Sequence, residues 1–236
     1  MARSIEEMVD HQMRRWALIG RASSHTPPRP CLALSRLAGA GAAELGRRVA
    51  ERLDYGFFDI EIVDWIARQA GLARELVAGV DEHIRAGVER FVTDSFRRAL
   101  FTESDYLRHV VRVVSSLGER GSAVIIGRGS PFILPPERAL RVLVVAPRAL
   151  RLESLAKRRS LGAAEAAAAL AVEDAARREF HRHHFARDPD DPCHYDLTVN
   201  LGTLPMDAAC ELLVRALAAR FAGRARDIGV AGSSSG

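Results

Sequence analysis

Short apolar runs, separated by longer stretches of helical periodicity, organise this chain. Residues 31–35 (CLALS), Tyr55–Asp59 (YGFFD), Ala123–Gly127 (AVIIG), Leu140–Val145 (LRVLVV) and Asp196–Leu201 (DLTVNL) read as strands. AVIIG and LRVLVV are nearly continuous in apolar residues, as strands covered on both faces of a parallel sheet should be. Between the strands, apolar positions recur every three or four residues. A helix is expected from about Ala42 to Leu53, with Leu45, Val49 and Leu53 on one side. Residues 60–117 read as mostly helical, and Ser104 is placed to cap a helix carrying Leu107, Val110, Val111, Val114 and Leu117. Arg148 to about Phe185 reads as one long helical region, alanine-rich between Ala163 and Ala176. The stretch 186–195 (ARDPDDPCHY) reads as a loop, and Met206–Phe221 as a closing helix.

Strands alternating with helices predict an α/β fold, a parallel sheet with helices on both faces. Ligands in such sheets bind beyond the carboxyl ends of the strands. Three of those ends are polar or glycine-rich: the turn at Gly39–Gly41, Asp59, and GRGSPF at 127–132. They point to one cleft. At the N-terminal end, residues 4–19 read as an amphipathic helix, with Ser4 and Glu7 at capping-box spacing and Ile5, Met8, Val9 and Trp16 on one face. It packs either on its own core or on a second subunit, as a homodimer contact. GRASSHTPPRP (20–30) reads as a linker and residues 223–236 as a disordered tail, leaving one domain over 30–222.

Composition changes the picture in one respect. The chain has 236 residues and a formal charge of +4, and its only lysine is Lys157. Arginine suits phosphate because its fork binds oxygens in pairs; a general replacement of lysine by arginine explains the surface arginines equally well. The rest of the composition excludes classes. No run approaches the roughly 20 apolar residues that span a membrane, and the N-terminus lacks an apolar leader core, so a cytoplasmic protein with no membrane partner is expected. Cys31, Cys193 and Cys210 are odd in number and scattered, which disfavours a disulfide framework. Aromatic residues are few and not interleaved with the basic ones, which disfavours nucleic-acid binding.

The glycine turn carries the candidate chemistry. Gly39 and Gly41 allow positive φ, and the helix from Ala42 adds free amides and a partial positive charge, making an anion nest from main chain alone. A standard phosphate loop also carries a lysine and a hydroxyl. Ala42 and Ala43 supply neither, and Arg36 is the nearest guanidinium. A tight packing turn explains Gly39–Ala40–Gly41–Ala42 about as well. Lys157 either reaches the loop from outside or belongs, with Arg158 and Arg159, to a solvated helix face. His181, His184 and Cys193 pose a zinc question, but their spacing fits a polar helix face better, and no metal site is assigned.

The pieces SRLAGAGAAELGRRVAERL, YGFFDIEIVDWIA, AVIIGRGSPFILPP, LRVLVVAP and VEDAARREFHRHHF…DPCHYDLTVNLG, in this order from about residue 31 to 221, resemble the cytidylate kinase-like family of P-loop proteins. The resemblance implies a P-loop NTPase-type three-layer sandwich with a parallel five-stranded sheet. It implies ATP and Mg2+ as cofactors and phosphoryl transfer to a nucleotide substrate such as CMP or dCMP. The loop over 36–44 (Arg36, Gly39, Ala40, Gly41, Ala42, Ala43) would hold the donor phosphates. A helical insert over 60–117 would close on the acceptor, and a lid would span 155–192. Asp59 and Arg128 match positions near the acceptor, and Asp174 and Arg177 match a D-x-x-R in the lid whose arginine reaches phosphate. Read from spacing alone, Asp174 and Arg177 fit a surface ion pair, and Asp59 fits a helix N-cap. Cytidylate kinases carry an aspartate after Gly-Arg where this chain has Gly129, which weakens the case for cytosine selectivity. The alternative function is a nucleotide-binding regulatory protein with little or no turnover, because Ala42 and Ala43 stand where the lysine and hydroxyl belong.

Overall fold

The structure, a computed structural model, describes residues 28–68, 82–98, 100 and 104–222, together with Glu7. The helix expected over 4–19, most of the linker, and the tail from 223 lie outside the described residues. The strands are β1 (Cys31–Arg36), β2 (Gly56–Phe58), β3 (Ala123–Ile126), β4 (Ala139–Val145) and β5 (Leu197–Asn200). The helices are α1 (Ala42–Leu53), α2 (Ile60–Arg68), α3 (Glu82–Arg97), α4 (Asp105–Arg120), α5 (Ser130–Ile133), α6 (Arg148–Arg159), α7 (Ala163–Phe185) and α8 (Met206–Arg220). The five strands are parallel throughout and lie in the order β2-β3-β1-β4-β5. The carboxyl end of β1 is therefore flanked by those of β3 and β4, so the glycine turns that follow β1 and β3 lie side by side.

Strand alternation divides the interior into two cores. Cys31 and Ala33 of β1 face a cluster with Phe58, Ile125 and residues of α2, α3 and α4. Leu32 and Leu34 face the opposite cluster, with Val124, Val142 and residues of α1 and α8. The expected stripe Leu45, Val49, Leu53 is buried there. Gly46 lets α1 lie close to the sheet: a Cβ on it would stand 2.9 Å from Ile126 Cδ1 and 3.1 Å from Leu34 Cδ1. Ser104 caps α4 as expected, its hydroxyl accepting the Leu107 N–H at 3.0 Å.

The long helical region is not continuous. It breaks at Ser160, which adopts a left-handed φ of 54°. The second helix, α7, starts at Gly162, whose N–H donates to the Glu165 carboxylate at 2.9 Å. A serine and a glycine two residues apart end one helix and start another more readily than they continue one. The buried stripe of α7 runs Ala166, Leu170, Asp174, His181, Phe185. A carboxylate and an imidazole thus occupy core-facing positions in a helix whose first half is mostly alanine.

Gly46→Val should cost about 1–3 kcal/mol, because the added methyls meet side chains of the sheet. Gly87→Ala in α3 should be neutral or gain up to about 1 kcal/mol, since a Cβ there meets nothing within 4 Å. Denaturant unfolding of the two variants checks the contrast; equal effects would mean that α1 does not depend on this close approach.

Candidate functional site

The turn after β1 is built as an anion nest requires. Gly39 and Gly41 have φ of 73° and 84°, and the Ala40 N–H returns to the Leu37 carbonyl at 3.2 Å. Gly41 begins α1 without any side-chain cap. Ala42 is buried and Ala43 exposed, so neither position offers a polar group. Glu44, next along, is engaged by Arg47 and Arg48 at 2.8 Å each on the helix surface.

The turn after β3 is more constrained. Gly127, Arg128 and Gly129 are all left-handed, with φ of 76°, 50° and 72°. Left-handed backbone at a non-glycine residue is uncommon and is held by its surroundings. Here the guanidinium of Arg128 is paired with Asp64 of α2 and lies over the Phe180 ring at 5.2 Å. The Tyr106 hydroxyl donates to the same Asp64 carboxylate at 2.7 Å. A Cβ on Gly129 would stand 2.1 Å from Phe185 Cζ, so an aspartate there would have no room. The departure from the cytidylate kinase pattern follows from how α7 packs.

Helix α7 supplies the third arginine. Arg177 donates through Nη1 to Asp190 at 2.5 Å, and through Nη2 to the Pro189 carbonyl at 2.8 Å and the Ser35 hydroxyl at 3.3 Å. Its Nε is buried and unpartnered. Asp174 does not pair with Arg177. Its carboxylate accepts the Ala38 N–H at 3.1 Å and Arg151 Nη1 at 2.7 Å. Asp59 caps α2, its carboxylate accepting the Ile62 N–H at 3.1 Å and its carbonyl the Val63 N–H at 3.0 Å.

A cleft of about 540 Å³ opens beside these turns, lined by Arg36, Arg128, Arg158, Arg159 and Arg177 against Glu61 and Glu173. Ala38, Phe180 and His181 also face it. Of the residues singled out from sequence, Arg36, Arg128 and Arg177 come together here. Of the loop after Arg36 only Ala38 lines the cleft; Gly39 to Ala43, Asp59, Asp174 and Lys157 are not among the lining residues. Arg159 is paired with Glu173 at 2.5 Å. The Arg36 guanidinium makes no hydrogen bond or ion pair among the described residues. Burial first, then the charges of Arg177 and Arg128, push its pKa below the usual arginine value, with Glu173 and Asp59 opposing. Sequence reasoning missed Asp64, Tyr106 and Phe180, which hold Arg128, Asp190, which pairs with Arg177, and Arg151, which holds the loop.

The histidines are arranged by packing. His181 Nδ1 lies 2.8 Å from the Arg177 carbonyl, which can only accept, so Nδ1 carries the proton and Nε2 is left buried and unpartnered. His184 stacks edge-on against Phe180, Cys193 is exposed, and among the described residues no His, Cys, Asp and Glu cluster could hold a metal ion. Burial pushes the His181 pKa down from 6.5 to about 4, the charges of Arg177 and Arg36 adding to it and the Arg177 carbonyl opposing. The unfolded chain therefore binds this proton more readily than the folded one, and stability falls as pH drops from 6.5 through about 4. Between pH 7 and 4 the protein should lose up to about 3 kcal/mol more than His181→Gln does. Chemical denaturation at both pH values checks this; parallel losses would contradict it.

Comparison with known proteins places this arrangement. Among solved structures, an uncharacterized protein from Eubacterium ventriosum is similar at 17% identity with a TM-score of 0.56, covering 80% of this chain and 98% of that one. A shikimate kinase from Acinetobacter baumannii, solved in complex with shikimate, aligns at 17% identity and a TM-score of 0.45 over 86% and 99% of the two chains. At such identity the first likeness speaks to the fold alone, and no curated protein matches the chain. The family comparison reaches further, because it spans β1, all three turns of the cleft and β5: residues 31–203 match the cytidylate kinase-like family, and the chain, with its parallel P-loop kinase fold, belongs to it.

Proposed function

We propose that this protein is a phosphotransferase of the nucleoside monophosphate kinase type, moving the γ-phosphoryl group of ATP onto CMP, dCMP or a similar phosphate-bearing acceptor. The observation that carries the reading is Arg36, a half-buried guanidinium with no partner among the described residues, facing a cleft shared with Arg128 and Arg177. Burying an uncompensated charge costs several kcal/mol. An anionic ligand in the cleft would offset that cost, and the unpartnered Nε of Arg177 offers it a further donor. Phosphoryl transfer asks mainly for positioning and for positive charge around the transferred group. Guanidinium groups can supply the charge that a loop lysine supplies elsewhere.

The roles divide by position. The free amides of the glycine loop and the N-terminus of α1 hold the donor phosphates. Arg36 and Arg177 bear on the transferred group, and Arg128, fixed by Asp64, meets the acceptor's phosphate. Asp59 and Asp174 act indirectly, one starting α2 and the other tied to the loop. The arginines and amides fit the phosphates of ATP. For Mg2+ the residues offer less, so the ion would be carried by the phosphates and water, where it neutralises charge. With Phe185 filling the space beside Gly129, base selectivity must come from elsewhere in the cleft. A nucleotide-binding protein without turnover is the second reading, favoured by Ala42 and Ala43.

Incubation with ATP, Mg2+ and each nucleoside monophosphate should yield a diphosphate with CMP or dCMP. Arg36→Met should cut turnover by about 10²-fold or more while leaving the melting temperature of the free protein unchanged or raised, because a guanidinium crowded by Arg177 and Arg128 is gone. No diphosphate but a melting temperature raised by ATP would establish the second reading. Neither effect would exclude both.

A further inference from the structure

The main chain of Ala38 is gripped at both ends, by α7 and by α6. Its N–H donates to Asp174 of α7 at 3.1 Å, and its carbonyl accepts Arg151 Nη1 of α6 at 3.2 Å. The same Nη1 donates to Asp174 at 2.7 Å. Both side chains are buried, each residue 8% exposed. The contact is close: a Cβ on Gly39 would stand 2.6 Å from the Arg151 carbonyl oxygen. A buried carboxylate therefore sits on an amide of the glycine loop, and Ala38 also lines the arginine cleft.

A tie that only held the lid in place would be built more cheaply from apolar side chains, since a buried ion pair gains little over well-packed hydrophobic residues. The charges matter because of where they lie. A carboxylate accepting a loop N–H does what a phosphate oxygen would do there. The guanidinium beside it is already within hydrogen-bonding distance of the loop.

We propose that Asp174 is a resident anion of the phosphate loop, which a bound polyphosphate displaces from the Ala38 amide, Arg151 then turning from Asp174 to the ligand. The pair is thus a latch: closed, it balances its own charge and occupies the loop; open, it frees one donor and one cation. This rests on the phosphate-binding reading of the cleft and adds a control to it. It requires the Asp174 carboxylate to leave the loop when phosphate arrives, while Arg177 of the same helix stays at the cleft, so binding and the contact of α6 with α7 are linked.

The test compares Asp174→Asn and Arg151→Met with the unaltered protein, using inorganic tripolyphosphate and ATP as probes in titration calorimetry. Asp174→Asn should bind tripolyphosphate about tenfold more tightly, and Arg151→Met about tenfold more weakly. A pair that is only structural lowers both affinities together, and that result, or an unchanged affinity in Asp174→Asn, overturns the latch. Hydrogen exchange in the unaltered protein serves if a variant fails to fold. Tripolyphosphate should slow exchange over residues 36–44 and speed it over α6 and the middle of α7; slowing in both would overturn the proposal. If the unaltered protein binds either probe and only these contrasts fail, the latch falls and the kinase reading stands. If neither the protein nor Asp174→Asn binds either probe, both fall.

Discussion

Repulsion among guanidinium groups in one cleft is the constraint on which the site depends. Arg36, Arg128 and Arg177 face a common space, and the latter two depress the pKa of the first. The protein relieves two of them. Arg128 is compensated by Asp64, and Arg177 by Asp190. Arg36 is left without such a partner. A charge in that state is costly to keep and gains most from an anion.

The fold makes this affordable. The carboxyl ends of β1 and β3 are adjacent in the sheet, so the turns that follow them deliver Arg36 and Arg128 to the same place. The third arginine comes from α7, whose inner stripe carries Asp174, His181 and Phe185. Phe185 packs where Gly129 has no side chain, and Phe180 underlies Arg128. Positive charge at the cleft comes from arginines on three separate elements, while Ala42 and Ala43 of the loop carry none.

Much of this was legible in the sequence. The strands were, because a buried parallel strand must be apolar along its length and AVIIG and LRVLVV are. The glycine turns were, because few other residues adopt their φ values cheaply. The break at Ser160–Gly162 went unread, because alanine-rich periodicity continues on its far side and outweighs one glycine. Asp174 was read through its neighbour Arg177, three residues away, yet its partners are Arg151 and Ala38, which only the tertiary fold brings near. Arg128 could be singled out between its glycines, but Asp64 and Tyr106 could not, since nothing local marks a carboxylate on an amphipathic helix as the partner of a distant strand end. Asp59 carried two readings, and the geometry displays the capping one.

The most direct measurement of the central claim is a crystal structure of the protein with a non-hydrolysable ATP analogue and CMP. The account predicts phosphate oxygens within hydrogen-bonding distance of both Arg36 and Arg177, in the cleft beside Ala38. Phosphates bound elsewhere, with Arg36 turned to a carboxylate of the protein itself, would contradict it.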